Sequence, residues 1–215
     1  MKNIFRYLKN TRLLLLVIPF ISSAQLVIPH GYTMLTKSPA NGKPMEQRFL
    51  DFDGDGEEDT ALIVENNLEF SAYKFMLYVS SLNKTYEVDL ICLQETSIYP
   101  VPIKLRKNVL EFGYYEDGTA TFGRFIKLRF QPKNNQIQVI GYDVSYKASP
   151  TYYIDKSYNL LTGKYTVKGT TYDTSNKVKV EEYLGDNDFF KNAVFIENLN
   201  ESMIIDLDDV GSTFE

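Results

Sequence analysis

From residue 60 onward the chain alternates short apolar, β-branched and aromatic runs with compact polar breaks, and this rhythm predicts strands. Thr60-Ala61-Leu62-Ile63-Val64 reads as a buried strand, because five small, branched or apolar residues in a row leave neither face polar. Further strands are expected at Glu69 to Ser80, Lys84 to Cys92, Val109 to Tyr115, Thr119 to Gln131, Gln136 to Tyr146, Thr151 to Leu160 and Lys164 to Tyr172. Several alternate with period two, as in Phe125-Ile126-Lys127-Leu128-Arg129-Phe130, the pattern of a sheet with one buried face. Between them stand the hairpin signals Leu82-Asn83, Asp117-Gly118, Asn134-Asn135 and Thr162-Gly163. The expected fold is all-β: an antiparallel meander, propeller-like or sandwich, with at most a short helix, placed at Asp188 to Asn192.

The first residues follow a different logic. Lys2, Arg6, Lys9 and Arg12 form a basic region, Leu13 to Ile21 an apolar core, and Ser22-Ser23-Ala24 a small-residue cleavage site. Together these read as a secretory signal peptide over residues 1–24, since an apolar core this short falls well below the roughly twenty residues that span a bilayer. The expected mature protein starts near Gln25, is periplasmic or secreted, and retains no transmembrane segment. Residues 25–215 fit a single β-rich domain, with no Pro/Ser-rich linker or charge block dividing them.

Removing the four basic leader residues takes the formal charge from −5 to −9. A chain this acidic repels nucleic acid, and no basic strip interleaved with aromatics argues otherwise. Cys92 is the single cysteine, so no intramolecular disulfide can form, and its apolar neighbours read as the surroundings of a buried core thiol.

The most informative run is Asp51-Phe52-Asp53-Gly54-Asp55-Gly56-Glu57-Glu58-Asp59. It sets carboxylates at loop positions one, three, five and nine, a spacing that lets their oxygens converge on one hard cation. Calcium takes six to eight such ligands. The expected metal-binding residues are Asp51, Asp53, Asp55, Glu57 through its backbone carbonyl, and Asp59. Gly56 occupies the sharp turn, where a positive φ favours a residue with no β-carbon. An EF-hand places a bidentate glutamate at the twelfth position; here that position is Leu62, inside the apolar run. The competing reading is a solvated acidic turn that holds no ion.

A DxDGDGxxD loop running straight into a strand resembles the calcium loops of FG-GAP and VCBS-type repeats. A wider likeness joins Pro29-His30-Gly31-Tyr32, the acidic loop, Gln138-Val139-Ile140-Gly141-Tyr142-Asp143 and Lys156-Ser157-Tyr158-Asn159-Leu160-Leu161-Thr162-Gly163-Lys164. This order resembles small exported bacterial proteins that are largely uncharacterised, some of them similar to periplasmic inhibitors of lysozyme-type hydrolases. The resemblance implies Ca2+ as the bound ion and a protein as partner, with an inhibitor or immunity-type role toward a cell-wall hydrolase. The alternative it leaves open is an envelope structural or glycan-binding protein with purely structural calcium.

An enzymatic reading finds little to stand on. His30 is the only histidine, which leaves a hydrolytic triad or a zinc site without its usual members. Glu111, Glu116, Glu181 and Glu182 are the carboxylates available for glycosidase chemistry, and no spacing singles out a pair. The tyrosines at 152, 153, 158, 165 and 172 read first as cross-strand packing and only second as a recognition surface. Asp206-Leu207-Asp208-Asp209 lacks glycine punctuation and reads as a solvated tail.

Overall fold

In a computed structural model the described residues are 26–45, 47–94, 96–173, 178–187, 190 and 192–214. The proposed signal peptide lies outside them, as do Asp188, Phe189 and Lys191 of the expected short helix; Phe190 sits in a turn and Asn192 in a bend.

Among the described residues thirteen strands run in chain order: β1 (Tyr32–Met34), β2 (Arg48–Leu50), β3 (Asp59–Asn66), β4 (Tyr73–Val79), β5 (Lys84–Asp89), β6 (Ile98–Pro100), β7 (Lys104–Arg106), β8 (Val109–Glu116), β9 (Gly123–Gln131), β10 (Gln136–Ser149), β11 (Tyr152–Asn159), β12 (Lys164–Tyr172) and β13 (Val178–Asp186). Among the described residues one α-helix, α1 (Glu201–Asp209), follows, with single 3-10 turns before and after it. The strands form two antiparallel sheets and no closed barrel. The smaller has the order β1-β3-β4-β5 with β2 also on β3, and the larger the order β13-β12-β11-β10-β9-β8-β6 with β7 also on β8. β8 to β13 are therefore an uninterrupted meander, and the two-sheet arrangement is that of the expected sandwich. Among the described residues no helix is long and apolar enough to cross a membrane.

The continuous apolar runs of β3 and β4 are explained by burial on both faces. Ala61, Ile63, Phe75, Leu77 and Val79 point into the main core, while Leu62, Val64 and Met76 form a second cluster covered by Leu26, Ile28, Tyr32 and Met34. The larger sheet shows period two instead: Leu110, Phe112 and Tyr114 of β8, Ile126 and Leu128 of β9, and Tyr142 and Val144 of β10 line its inner face. The sheets meet at Phe75 and Phe112, whose rings stack with centroids 4.0 Å apart and planes 4° from parallel.

Where the smaller sheet ends, α1 takes over as the lid of the larger one. Asn200 caps it, its side chain accepting from the Met203 N–H at 3.0 Å, and Ile204, Leu207 and Val210 enter the core. The solvated tail expected at 206–209 is thus corrected. Met203, Ile204, Leu207 and Val210 recur at helical spacing and so bury one stripe, leaving the carboxylates at its margin.

Strand boundaries also shift. Glu69 to Ala72 belong to a loop where Leu68 and Phe70 stand 85% and 90% exposed, and β4 begins only at Tyr73. Residues 117–122 connect β8 to β9, with Thr121 in the left-handed region at φ 48°, so β9 starts at Gly123 and not at Thr119. The turn at Asn83 and those at Gly118, Asn135 and Gly163 all take the positive φ expected of hairpin connections. Cys92 is half-buried, not fully so: its sulfur accepts from the Thr96 N–H at 3.2 Å and it packs against the edge of the core.

Candidate metal centre

Residues 51–58 connect β2 to β3, and β2 pairs with the first three residues of β3, so the loop leaves and re-enters the sheet at one point. Phe52 pins it from within, fully buried in the main core, while the residues on either side stay at the surface. Gly54 and Gly56 adopt φ of 83° and 89° with no neighbour near the place a Cβ would occupy. Backbone conformation, not space, is therefore what selects glycine there.

The side chains of the loop are used to fold it. Asp51 accepts from the Gly54 N–H at 2.8 Å and the Gly56 N–H at 3.2 Å; Asp53 accepts from the Asp55 N–H at 3.1 Å and from the Ser81 hydroxyl. Asp59 is wholly buried and ties the loop to the neighbouring hairpin. One of its oxygens accepts from the Phe52 N–H at 2.9 Å, the other from the Ser80 N–H at 2.8 Å and the Ser80 hydroxyl at 3.0 Å.

These bonds bring Asp51, Asp53 and Asp59 together, with an oxygen of each within 4.8 Å of the others. Asp55 stands outside this group, exposed, its carboxylate accepting from the Glu57 N–H at 2.8 Å; the Glu57 side chain is exposed as well. Among the described residues no lysine or arginine pairs with the three converged carboxylates. Two like charges about 4 Å apart repel by about 1 kcal/mol in water and about 4 kcal/mol at an effective dielectric near 20. An oxygen-only donor set carrying this repulsion fits a hard divalent cation, because both oxygens of Asp51 and of Asp53, and the Asp59 oxygen bonded to Phe52, accept one hydrogen bond each and keep a second lone pair.

A second charged cluster, which sequence reasoning did not find, lies inside the protein beneath α1. Arg124 of β9 is buried, and its guanidinium bonds Glu116 of β8 on one side and Asp208 of α1 on the other, at 2.7 Å from Nη2 and 3.0 Å from Nε. Asp208 also accepts from the Tyr142 hydroxyl at 2.5 Å, while the Lys156 ammonium donates to its backbone carbonyl at 2.7 Å. Burial works to lower the Arg124 pKa, but its hydrogen bonds and charge contact with Asp208 outweigh this and hold it above the usual arginine value. Burial first, and then the Asp208 charge, push the Tyr142 hydroxyl well above the ordinary tyrosine range. Tyr114, whose hydroxyl donates to the Ile91 carbonyl at 2.8 Å, is raised chiefly by burial.

The remaining candidates are dispersed. His30 is exposed in the turn before β1. Glu111 and Glu116 project from opposite faces of β8, the first pairing with Lys104 at 2.8 Å and the second with Arg124. Glu181 and Glu182 are adjacent on β13 and so face opposite ways, Glu181 pairing with Lys179 at 2.7 Å. Most of the tyrosines are packing groups: Tyr165 and Tyr152 lie over Gly185 and Gly169, Tyr158 is buried, and Tyr153 meets Tyr172 edge to face at 5.5 Å.

Compared with known proteins, the chain matches no family model, no curated protein and no solved structure.

Proposed function

We propose that this chain is an exported, calcium-binding, non-enzymatic binding module whose partner is a protein. The observation that carries the reading is the convergence of Asp51, Asp53 and Asp59 within 4.8 Å, without a cationic side chain to neutralise them among the described residues. Calcium suits this donor set better than magnesium. Three loop carboxylates, a backbone carbonyl such as that of Glu57 and water supply a loose oxygen shell, whereas magnesium demands near-ideal octahedral geometry at shorter distances. When bound, the ion neutralises the loop and, through Asp59, steadies the hairpin at Ser80.

A protein partner is supported by the tip of the β3–β4 loop. Leu68 and Phe70 project almost fully into solvent there, and apolar anchors of this kind fill pockets at protein interfaces. The specific form suggested by the sequence resemblance is inhibition of a cell-wall hydrolase. Pull-down from envelope extract tests it. The reading expects one stoichiometric hydrolase, inhibited when bound, released by chelator and lost in Leu68→Ala/Phe70→Ala.

A second reading, glycan binding with purely structural calcium, draws on the outer face of the larger sheet. There Phe125, Asp143, Ser145, Asp155, Ser157 and Lys168 line an open groove of about 390 Å³, mixing one aromatic ring with hydroxyls and balanced charges. Retention of the chain on glycan alone, with no protein captured, would favour it.

A further inference from the structure

The far edge of the larger sheet is built for contact. β13 is nine residues long, and among the described residues it pairs only with β12. Among the described residues no strand pairs with its other side, which makes that edge a template on which another strand can add. Four of its nine side chains, Lys179, Glu181, Glu182 and Asp186, are charged, so the edge admits only a strand whose charges complement them. Val178, Val180 and Leu184 share the outer face at 55%, 52% and 76% exposed, and the patch continues through Tyr172 and Tyr153 at 47% and 40%. A protein that must stay monomeric protects such an edge with lysines, proline or a bulge. This strand has one lysine, no proline, and an unbroken register with β12 from Val178 to Asp186.

The charges select the occupant. When two identical strands pair antiparallel, the two-fold axis passes through one residue, which then faces its own copy. An axis at Lys179, Glu181 or Glu182 sets like charge directly against like. An axis at Leu184 opposes Glu182 to Asp186 twice, and one at Tyr183 opposes no charges at all. At Val180 alone among these, Lys179 of each copy faces Glu181 of the other, and the valines meet on the axis. Within one chain Lys179 and Glu181 already form an ion pair at 2.7 Å, with side chains 70% and 41% exposed, so both are free to re-pair across a seam.

We propose that β13 is a homodimer seam: a second copy of this chain adds its own β13 antiparallel, with the two-fold axis at Val180 and two Lys179–Glu181 pairs across it. The seam joins the two larger sheets into one continuous sheet and covers the exposed valines. Nothing in it depends on the acidic loop, so it stands or falls separately from calcium binding. A seam of one strand is small beside the roughly 1,200–2,000 Å² of stable interfaces, so a dimer that dissociates on dilution is expected.

Sedimentation velocity from low micromolar to several hundred micromolar tests this. The wild-type chain is expected to pass from monomer to dimer over that range. Lys179→Glu, which opposes two carboxylate pairs, weakens dimerisation by about tenfold or more, and Lys179→Glu/Glu181→Lys restores it. Equal melting temperatures in dilute solution will show that these exposed substitutions leave the monomer folded. In a Cys92→Ser background, Val180→Cys crosslinks to itself on oxidation and Leu184→Cys does not, because opposed Cα atoms about 4.5–5.5 Å apart lie within disulfide reach. A chain that stays monomeric throughout, a dimer indifferent to Lys179→Glu, or a double exchange that fails to restore pairing overturns the proposal.

Discussion

The protein gathers carboxylates in two places and treats them in opposite ways. Beneath α1, Glu116 and Asp208 surround a buried arginine, and the neutralising charge is supplied from inside the chain. In the β2–β3 loop, Asp51, Asp53 and Asp59 converge as closely with no cationic side chain beside them among the described residues. The inner cluster holds its own counter-charge, with one oxygen of the buried Glu116 left without a hydrogen-bond partner, and the outer one lacks its counter-charge. A buried network of this kind costs several kcal/mol per ion in lost hydration and returns it only if every partner stays in place. The loop avoids most of that cost by leaving Asp51 at the surface and burying only Asp59, whose oxygens are bonded to three donors.

The largest effect expected from breaking this comparison is at Arg124. Arg124→Ala leaves two carboxylates facing each other without their cation and should cost about 3–5 kcal/mol of unfolding free energy, read by urea denaturation. Calcium should not rescue it. Next comes Asp59→Ala, which strands the Phe52 and Ser80 N–H groups. A loss of about 2–3 kcal/mol is expected even in chelator, because the residue holds the loop to the β4–β5 hairpin whether or not an ion is bound. Asp51→Asn and Asp53→Asn are the contrasting pair. Each removes a charge from a self-repelling group but also one acceptor oxygen of the loop, so the two effects offset and calcium-free stability should change by no more than about 1 kcal/mol, while calcium affinity falls about tenfold or more, equivalent to about 1.4 kcal/mol.

The smallest effect concerns pH. The Tyr142 hydroxyl, whose pKa in the folded chain lies well above the ordinary value of 10.0, binds its proton more tightly than in the unfolded chain. Its contribution to stability is therefore complete below pH 10 and is lost as the pH rises from there through the higher folded value. Unfolding free energy measured from pH 8 upward should decline once tyrosines of the unfolded chain ionise, and Tyr142→Phe should show a shallower decline from a lower starting value.

How much of this was legible in the sequence divides along the same line. The loop was legible because its residues are contiguous: glycine at the left-handed turns and aspartate at alternate positions follow from local geometry. Its anchor was not, since Asp59 meets Ser80 across a hairpin, and spacing says nothing of such a contact. The strands from Val109 to Tyr172 were legible where one face was buried and turns were marked by Asn or Gly. β13 escaped because its residues are exposed on both faces and the alternation that announces a half-buried strand is missing. The Arg124–Asp208 pair joins residues 84 apart, and no local pattern foretells it. Helix α1 does carry a signal, Asn200 as a cap and apolar residues at 203, 204 and 207, but three aspartates within four residues mask that period with charge.

The most direct test of the central claim is thermal unfolding of the wild-type chain and of Asp51→Asn/Asp53→Asn, each in chelator and in calcium. A native state that binds calcium gains about 2.7 kcal/mol when the free ion is a hundredfold above its dissociation constant. The wild-type midpoint should therefore rise with calcium concentration while the double variant stays flat. A wild-type midpoint that is the same in chelator and in millimolar calcium would contradict the assignment of the β2–β3 loop as a calcium centre.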